Sequence, residues 1–171
     1  MPTNIEIKAK ARDPQRQEQL AKEISIEPVV VLDQADTFFI VPSGRLKLRE
    51  LAPDHGELIQ YERPDIAGPK SSHYTILSTD QPAILRNLLG AALGVRGEVR
   101  KRRRLYRAGQ TRIHIDEVLG LGMFLELEIV LRADQSRDEG EAIARQIMDR
   151  LEIQEEDLID GAYIDLICGR S

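Results

Sequence analysis

Arg112-Ile-His-Ile-Asp-Glu-Val-Leu-Gly-Leu-Gly-Met-Phe-Leu-Glu-Leu-Glu-Ile-Val-Leu-Arg132 reads as two antiparallel strands joined by a glycine turn. Successive strand side chains point to opposite faces. In the second arm Met123, Leu125, Leu127, Ile129 and Leu131 therefore share one face, and Phe124, Glu126, Glu128, Val130 and Arg132 the other. In the first arm Arg112, His114 and Asp116 lie opposite Ile113 and Ile115. Gly120 and Gly122 supply the permissive backbone that a tight connection needs. One face of the hairpin is core and the other carries acid. Two Glu side chains two positions apart repel unless they are neutralised or solvated. Glu126 and Glu128 thus mark either a site for a hard divalent cation or the wet outer face of a half-exposed sheet.

The same alternation recurs outward from this hairpin. Asn4 to Lys10 puts Ile5, Ile7 and Ala9 on one face and Glu6, Lys8 and Lys10 on the other. Arg45-Leu-Lys-Leu-Arg49 gathers Arg45, Lys47 and Arg49 in front of Leu46 and Leu48. In the strand expected over 98–106, Lys101 and Arg103 have the opposite parity to Arg100, Arg102 and Arg104, which are placed outside.

Between these strands lie two helix signals. Asp13-Pro14 caps a helix over about 14–24, with Leu20, Ala21 and Ile24 inward. Asp80-Gln-Pro82 opens a second, with Leu85, Leu88, Leu89 and Ala92 inward and Gly94 as its stop. Extended segments fill 29–41, 57–62 and 72–77, and 65–70 reads as an irregular loop. The order strand, helix, strand, strand, strand occurs twice, at 3–63 and 72–132. Ser136-Arg-Asp-Glu139 is a capping box opening a helix with Ala142, Ile143, Ile147, Met148 and Leu151 on its apolar stripe, in a C-terminal helical segment over 136–167. No linker divides the 171 residues, so one α+β domain spanning 1–171 is expected. Eight antiparallel strands with charge on one whole face can close into a barrel with a polar interior, or form an open sheet with helices on one side.

Composition narrows the partners. The net charge of −5 argues against nucleic-acid binding driven by bulk electrostatics. The sequence shows neither an 18-residue apolar run nor a leader pattern, so a cytoplasmic chain that engages no membrane is expected. Cys168 is the one cysteine, which excludes an internal disulfide framework and a cysteine-rich zinc site. Collected by face, Glu6, Asp116, Glu126 and Glu128 stand with Lys8, Arg45, Lys47, Arg49, Lys101 and Arg103. That set suits a triphosphate, a polyanion needing several Lys and Arg donors and a carboxylate-held divalent cation; it also suits a salt-bridged interior with no ligand.

These residues resemble the CYTH family, which includes class IV adenylyl cyclases, thiamine triphosphatases and inorganic triphosphatases. Glu6 and Lys8 look like the second half of the family's Glu-x-Glu-x-Lys signature. Arg45 to Arg49 is similar to its basic third strand, and Lys101-Arg-Arg103 with Tyr106 to its Lys-x-Arg-x-x-Tyr element. Asp116, Gly120-Leu-Gly-Met-Phe124 and Glu126-Leu-Glu128 resemble its acidic hairpin, and Tyr163-Ile-Asp-Leu-Ile167 its C-terminal Tyr-x-x-Leu-Leu.

The resemblance implies a tunnel, an eight-stranded antiparallel β-barrel open at both ends, built from a duplicated β-α-β-β-β unit with flanking helices. It implies Mg²⁺ or Mn²⁺ held by Glu6, Glu126, Glu128 and Asp116, with Asp116 or Glu6 accepting a proton. Phosphates would meet Lys8, Arg45, Lys47, Arg49, Lys101 and Arg103. Two positions depart from the pattern. Asn4 stands where the family has the first Glu, and Tyr61-Glu-Arg-Pro64 leaves Arg63 or Lys70 to serve as the lysine of strand four. The resemblance is nearest to the class IV cyclase branch, so the expected substrate is ATP. Tripolyphosphate or thiamine triphosphate hydrolysis is the alternative, and a non-catalytic nucleotide or polyphosphate binder the third. A homodimer through exposed apolar barrel faces is compatible with the sequence.

Overall fold

The computed structural model describes residues 3–62 and 64–169; Arg63 lies outside them. Thr3–Lys10 (β1) is followed by Pro14–Ile24 (α1), Val30–Phe39 (β2), Arg45–Ala52 (β3) and His55–Glu62 (β4). Lys70–Thr79 (β5), Pro82–Leu93 (α2), Val95–Ala108 (β6), Thr111–Val118 (β7) and Gly122–Val130 (β8) repeat that order. Arg137–Arg150 (α3), a 3₁₀ turn at Glu155–Asp157 and Tyr163–Cys168 (α4) complete the chain. The strands close into an antiparallel barrel in the order β1-β5-β4-β3-β2-β6-β7-β8. The closed alternative is therefore the one adopted. Closure removes every sheet edge and leaves a wall with an inside and an outside.

The apolar core lies outside that wall. Ile5, Ile7 and Ala9 of β1, Ile113 and Ile115 of β7, and Leu125, Leu127 and Ile129 of β8 are all essentially inaccessible, packed with Ala21 of α1 and with Ala144, Ile147 and Met148 of α3. At about 1.5–3 kcal/mol for each fully buried aliphatic side chain, this layer is the main source of stability and frees the interior for polar groups. The helices are seated by the expected signals. Asp13 Oδ1 accepts from the Arg16 amide after Pro14 at N1, and Ser136 and Glu139 complete a capping box. Gly120 and Gly122 take φ of +83° and +105° in the β7–β8 turn, which a side chain rarely tolerates.

The structure departs from the expected pattern at three elements. Helix α2 lies against β2, β3 and β4 and buries one face only partly; Leu88 is 58% exposed and Ala92 is also exposed. The helix is apolar nearly all round, so periodicity could not choose its inner face. On α3 the stripe runs through Gly140, Ala144, Ile147 and Met148, while Ala142 faces solvent. The segment read as a loop to Lys70 ends earlier: Gly68 and Pro69 are buried, and Lys70 begins β5 opposite Glu6. A second apolar cluster, of Phe38, Ile59, Tyr61, Val99, Val118, Phe124, Ala162, Tyr163 and Ile164, packs α4 against the inward rows of the strands.

Candidate active site

The barrel interior encloses a chamber of about 400 Å³ with walls of three kinds. Acid comes from β1 and β8 as Glu6, Glu126 and Glu128, beside Asn4 and Lys8. Base comes from β3 and β6 as Lys47, Arg49, Lys101 and Arg103, with Asp36 of β2 among them. The β4–β5 wall is mainly aromatic and aliphatic, with Glu57 and Ser72 beside the apolar residues: Tyr61 pairs across the ladder with Tyr74, and Ile59 with Ile76. Each wall is made of the inward rows of neighbouring strands, β8–β1, β3–β2–β6 and β4–β5, so the alternating pattern is what places the chemistry.

The basic wall is built on two buried carboxylates. Asp36 accepts from Arg49 Nε and Nη2, both at 2.8 Å, with Lys47 Nζ at 3.3 Å and Lys101 Nζ at 3.8 Å. Burial favours a neutral Asp36, yet Arg49, Lys47 and Lys101 outweigh it and hold the carboxyl well below the usual range. Asp116 takes Arg103 in the same two-pronged way, Nε and Nη2 each at 2.8 Å, and Arg103 Nη2 reaches Glu126 at 3.2 Å. The cations still outnumber their local anions. Burial and Arg49 push Lys47 down to about 8, and burial with Arg103 pushes Lys101 well below its ordinary value. An anionic ligand would relieve both.

The acidic wall is divided. Burial alone would raise Glu126, but Lys8 and Arg103 hold it well below the usual carboxylate range, so it belongs electrostatically to the basic cluster. Glu128 lies directly opposite Glu6 in the β1–β8 ladder, and burial and Glu6 raise its pKa. Asn4 Nδ2 donates to Glu128 Oε1 at 2.5 Å, and Arg112 Nη1 approaches the same oxygen at 3.4 Å. Asn4 Oδ1 is buried with no hydrogen-bond partner. Among the described residues no three His, Cys, Asp or Glu side chains converge closely enough to cage a metal by themselves. Hard oxygen donors in a pair that still repels do fit a divalent cation that takes its other ligands from phosphate oxygens.

A sequence profile of the CYTH domain matches residues 2–163. The chain belongs to the CYTH family. None of the curated proteins matches it. Among solved structures it is similar to the PH1012 protein of Pyrococcus horikoshii OT3, at 22% identity over 95% of this chain and 98% of that one, with a TM-score of 0.83. It is also similar to a candidate adenylate cyclase from Vibrio parahaemolyticus, at 16% identity over 96% and 97%, TM-score 0.75. A third neighbour, from Hippeastrum, is at 14% identity over 100% and 97%, TM-score 0.63, and is described as a candidate adenylyl cyclase with a dominant triphosphatase activity. At these identities the likeness is one of fold, here that of the CYTH triphosphate tunnel.

Within this CYTH barrel, Glu6, Lys8, Lys47, Arg49, Lys101, Arg103, Glu126 and Glu128 line the chamber together. Arg45, Lys70 and Asp116, also expected at the site, do not line the chamber. Arg45 turns to α4, where Asp165 Oδ2 accepts from its Nη2 at 2.7 Å, and to Asp65 at 3.4 Å. Lys70 is fully buried and donates to the Ile66 carbonyl at 2.9 Å. Asp116 lies behind Arg103, its Oδ2 also accepting from the Tyr163 hydroxyl at 2.8 Å. His114 is buried beside these groups, with Nδ1 unpartnered; burial and Arg103 push its pKa down to about 3, so it is neutral. Sequence reasoning missed Asp36 and the role of Tyr163. Asp36 was findable as the lone acid on the row Gln34, Asp36, Phe38; Tyr163 opens the C-terminal motif, but the motif does not say that its side chain meets the cations.

Proposed function

We propose that this chain is a divalent-cation-dependent enzyme of the class IV adenylyl cyclase type, converting ATP to cyclic AMP and pyrophosphate. The observation that carries the reading is the chamber with three unlike walls. A row of Lys and Arg suits the triphosphate, and the opposed carboxylates Glu6 and Glu128 suit the cation. The Tyr61–Tyr74 and Ile59–Ile76 wall suits an organic group, for which an inorganic tripolyphosphate would have no use. No helix among the described residues is long and apolar enough to cross a membrane.

Glu6 and Glu128 would hold Mg²⁺ or Mn²⁺, with the Asn4 amide oxygen beside them. When bound, the cation supplies positive charge that offsets the charge building on the phosphate oxygens. Lys47, Arg49, Lys101 and Arg103 hold the β- and γ-phosphates, and Lys8 reaches the same anion from the opposite strand. The aromatic wall holds the nucleoside so that its ribose 3′-oxygen faces the α-phosphorus. In the reaction the 3′-oxygen to α-phosphorus bond forms and the α-phosphorus to bridging-oxygen bond breaks. Pyrophosphate leaves with the electron pair, stabilised by the fixed cations, and Glu6 takes the 3′-hydroxyl proton and passes it to water. Asp116 acts by holding Arg103, because its oxygens are engaged by Arg103 and Tyr163.

Water attacking the terminal phosphorus is the second reading, and the Hippeastrum neighbour's described triphosphatase activity favours it. Separating the products of ATP with Mg²⁺ or Mn²⁺ tests both. Cyclic AMP and pyrophosphate, lost in Glu128→Gln and Lys101→Ala, are expected. ADP and phosphate would replace cyclisation by hydrolysis, and no turnover of ATP, tripolyphosphate or thiamine triphosphate would overturn the enzymatic reading.

A further inference from the structure

We infer that Tyr163 is a positioning residue for the phosphate-binding cations, so that the C-terminal helix α4 is part of the binding site although it offers no phosphate ligand. The inference rests on the triphosphate reading of the chamber. Tyr163 is 4% exposed and borders the chamber with its ring beneath the two ammonium groups, 4.0 Å from Lys8 Nζ and 5.2 Å from Lys101 Nζ. Its hydroxyl donates to Asp116 Oδ2 at 2.8 Å, and Asp116 in turn grips Arg103 through both oxygens. One side chain therefore touches the supports of three cations on two strands, β1 and β6.

The physical need is specific. Lys101 and Arg103 are like charges in a desolvated interior and repel each other, as the depressed pKa of Lys101 reports. A further carboxylate beside them would hold them in place but would compete with a phosphate for the same protons. The face of an aromatic ring attracts ammonium groups through its quadrupole and brings no net charge, so it orders the lysines while leaving them cationic toward the ligand. Asp116 is fully buried behind Arg103, where it fixes the guanidinium without facing the chamber. Phe124, with its centroid 5.1 Å from that of Tyr163 and tilted by 58°, sets the ring plane.

The helix is held where this requires. Asp165 accepts from Arg45 at 2.7 Å and from Arg96 at 2.8 Å, and Ile164 is fully buried in the second apolar cluster. The seat of α4 and the placing of the cations are thus separate functions of neighbouring residues, which makes them separable by mutation.

The test compares tripolyphosphate affinity by calorimetry, kcat and KM with ATP, and the melting temperature across four variants. Tyr163→Leu removes ring and hydroxyl and is expected to weaken tripolyphosphate binding on the order of tenfold, raising KM with little change in kcat. Tyr163→Phe keeps the ring, and a smaller loss is expected, about threefold. Ile164→Ala empties part of the apolar cluster without touching a cation; it should lower the melting temperature at least as far as Tyr163→Leu yet bind tripolyphosphate as the wild type does. Tyr163 variants that bind as the wild type does, or an Ile164→Ala protein that loses affinity in step with its stability, would overturn the inference. If the wild type binds no tripolyphosphate, or Lys101→Ala binds it equally well, the triphosphate reading itself fails and the inference falls with it.

Discussion

Arg49 holds Asp36 through two parallel hydrogen bonds of 2.8 Å inside the barrel, where the carboxylate is 1% exposed and also faces Lys47 and Lys101. A single buried acid thus anchors three cations. Replacing it with Asn removes the charge but keeps the shape, leaving three like charges in a low-dielectric space. Removing one partner of a buried ion pair costs about 3–5 kcal/mol, so Asp36→Asn should lower unfolding stability by that order. An added triphosphate would supply the missing negative charge. The melting temperature of Asp36→Asn should therefore rise more on adding tripolyphosphate than that of the wild type, and an equal rise in both proteins would show that the anion does not reach these cations.

Lys47 sets the expected pH dependence of binding. In the ligand-free chamber burial and Arg49 lower its pKa to about 8, and a bound polyanion favours the charged form, moving the value back toward the ordinary range near 10.4. The sign follows. Below pH 8 Lys47 is charged in both states and affinity is flat with respect to this group. Above pH 8 a proton must be taken up on binding, so tripolyphosphate affinity should fall about tenfold per pH unit until the bound-state value is reached. Calorimetry at pH 8.5 in buffers of different ionisation heat would count the proton. Lys47→Met should remove that part of the uptake, leaving the part due to Lys101, whose pKa is depressed in the same direction.

Much of this site was legible because strands encode sides. Glu6 and Lys8, Lys47 and Arg49, Lys101 and Arg103, and Glu126 and Glu128 were each separated from their apolar neighbours by parity alone, and closure turned those faces inward. Parity did not reveal which inward residues point at the chamber and which at each other. Arg45 shares the row of Lys47 and Arg49 but is drawn to Asp165, a residue 120 positions away whose place depends on the docking of α4. Asp36 was hidden for a local reason: Val29 to Leu32 and Phe38-Phe39 are apolar on both sides, which blurs the alternation of β2. Tyr163 was hidden for a tertiary one, since a six-residue helix carries no sign of entering a barrel.

Asn4 shows how one substitution reshapes the acidic wall. Its Nδ2 donates to Glu128 while Oδ1 remains buried without a partner, and Glu6 faces Glu128 across the ladder. Restoring a carboxylate with Asn4→Glu would replace that donor by a third negative charge next to a pair that already repels, as the raised pKa of Glu128 reports. Two opposite effects should follow from the same change. The metal-free protein should lose stability, most at neutral pH and least near pH 4, where the added acid and Glu128 accept protons. Mn²⁺ should bind more tightly, because a third hard oxygen donor and its charge are available to the cation. Calorimetric titration of Mn²⁺ into both proteins, alongside chemical unfolding with and without the metal, would measure the pair of effects. A variant that is destabilised but gains no Mn²⁺ affinity would show that the Asn4 position faces away from the cation, leaving Glu6 and Glu128 with phosphate oxygens as its ligands.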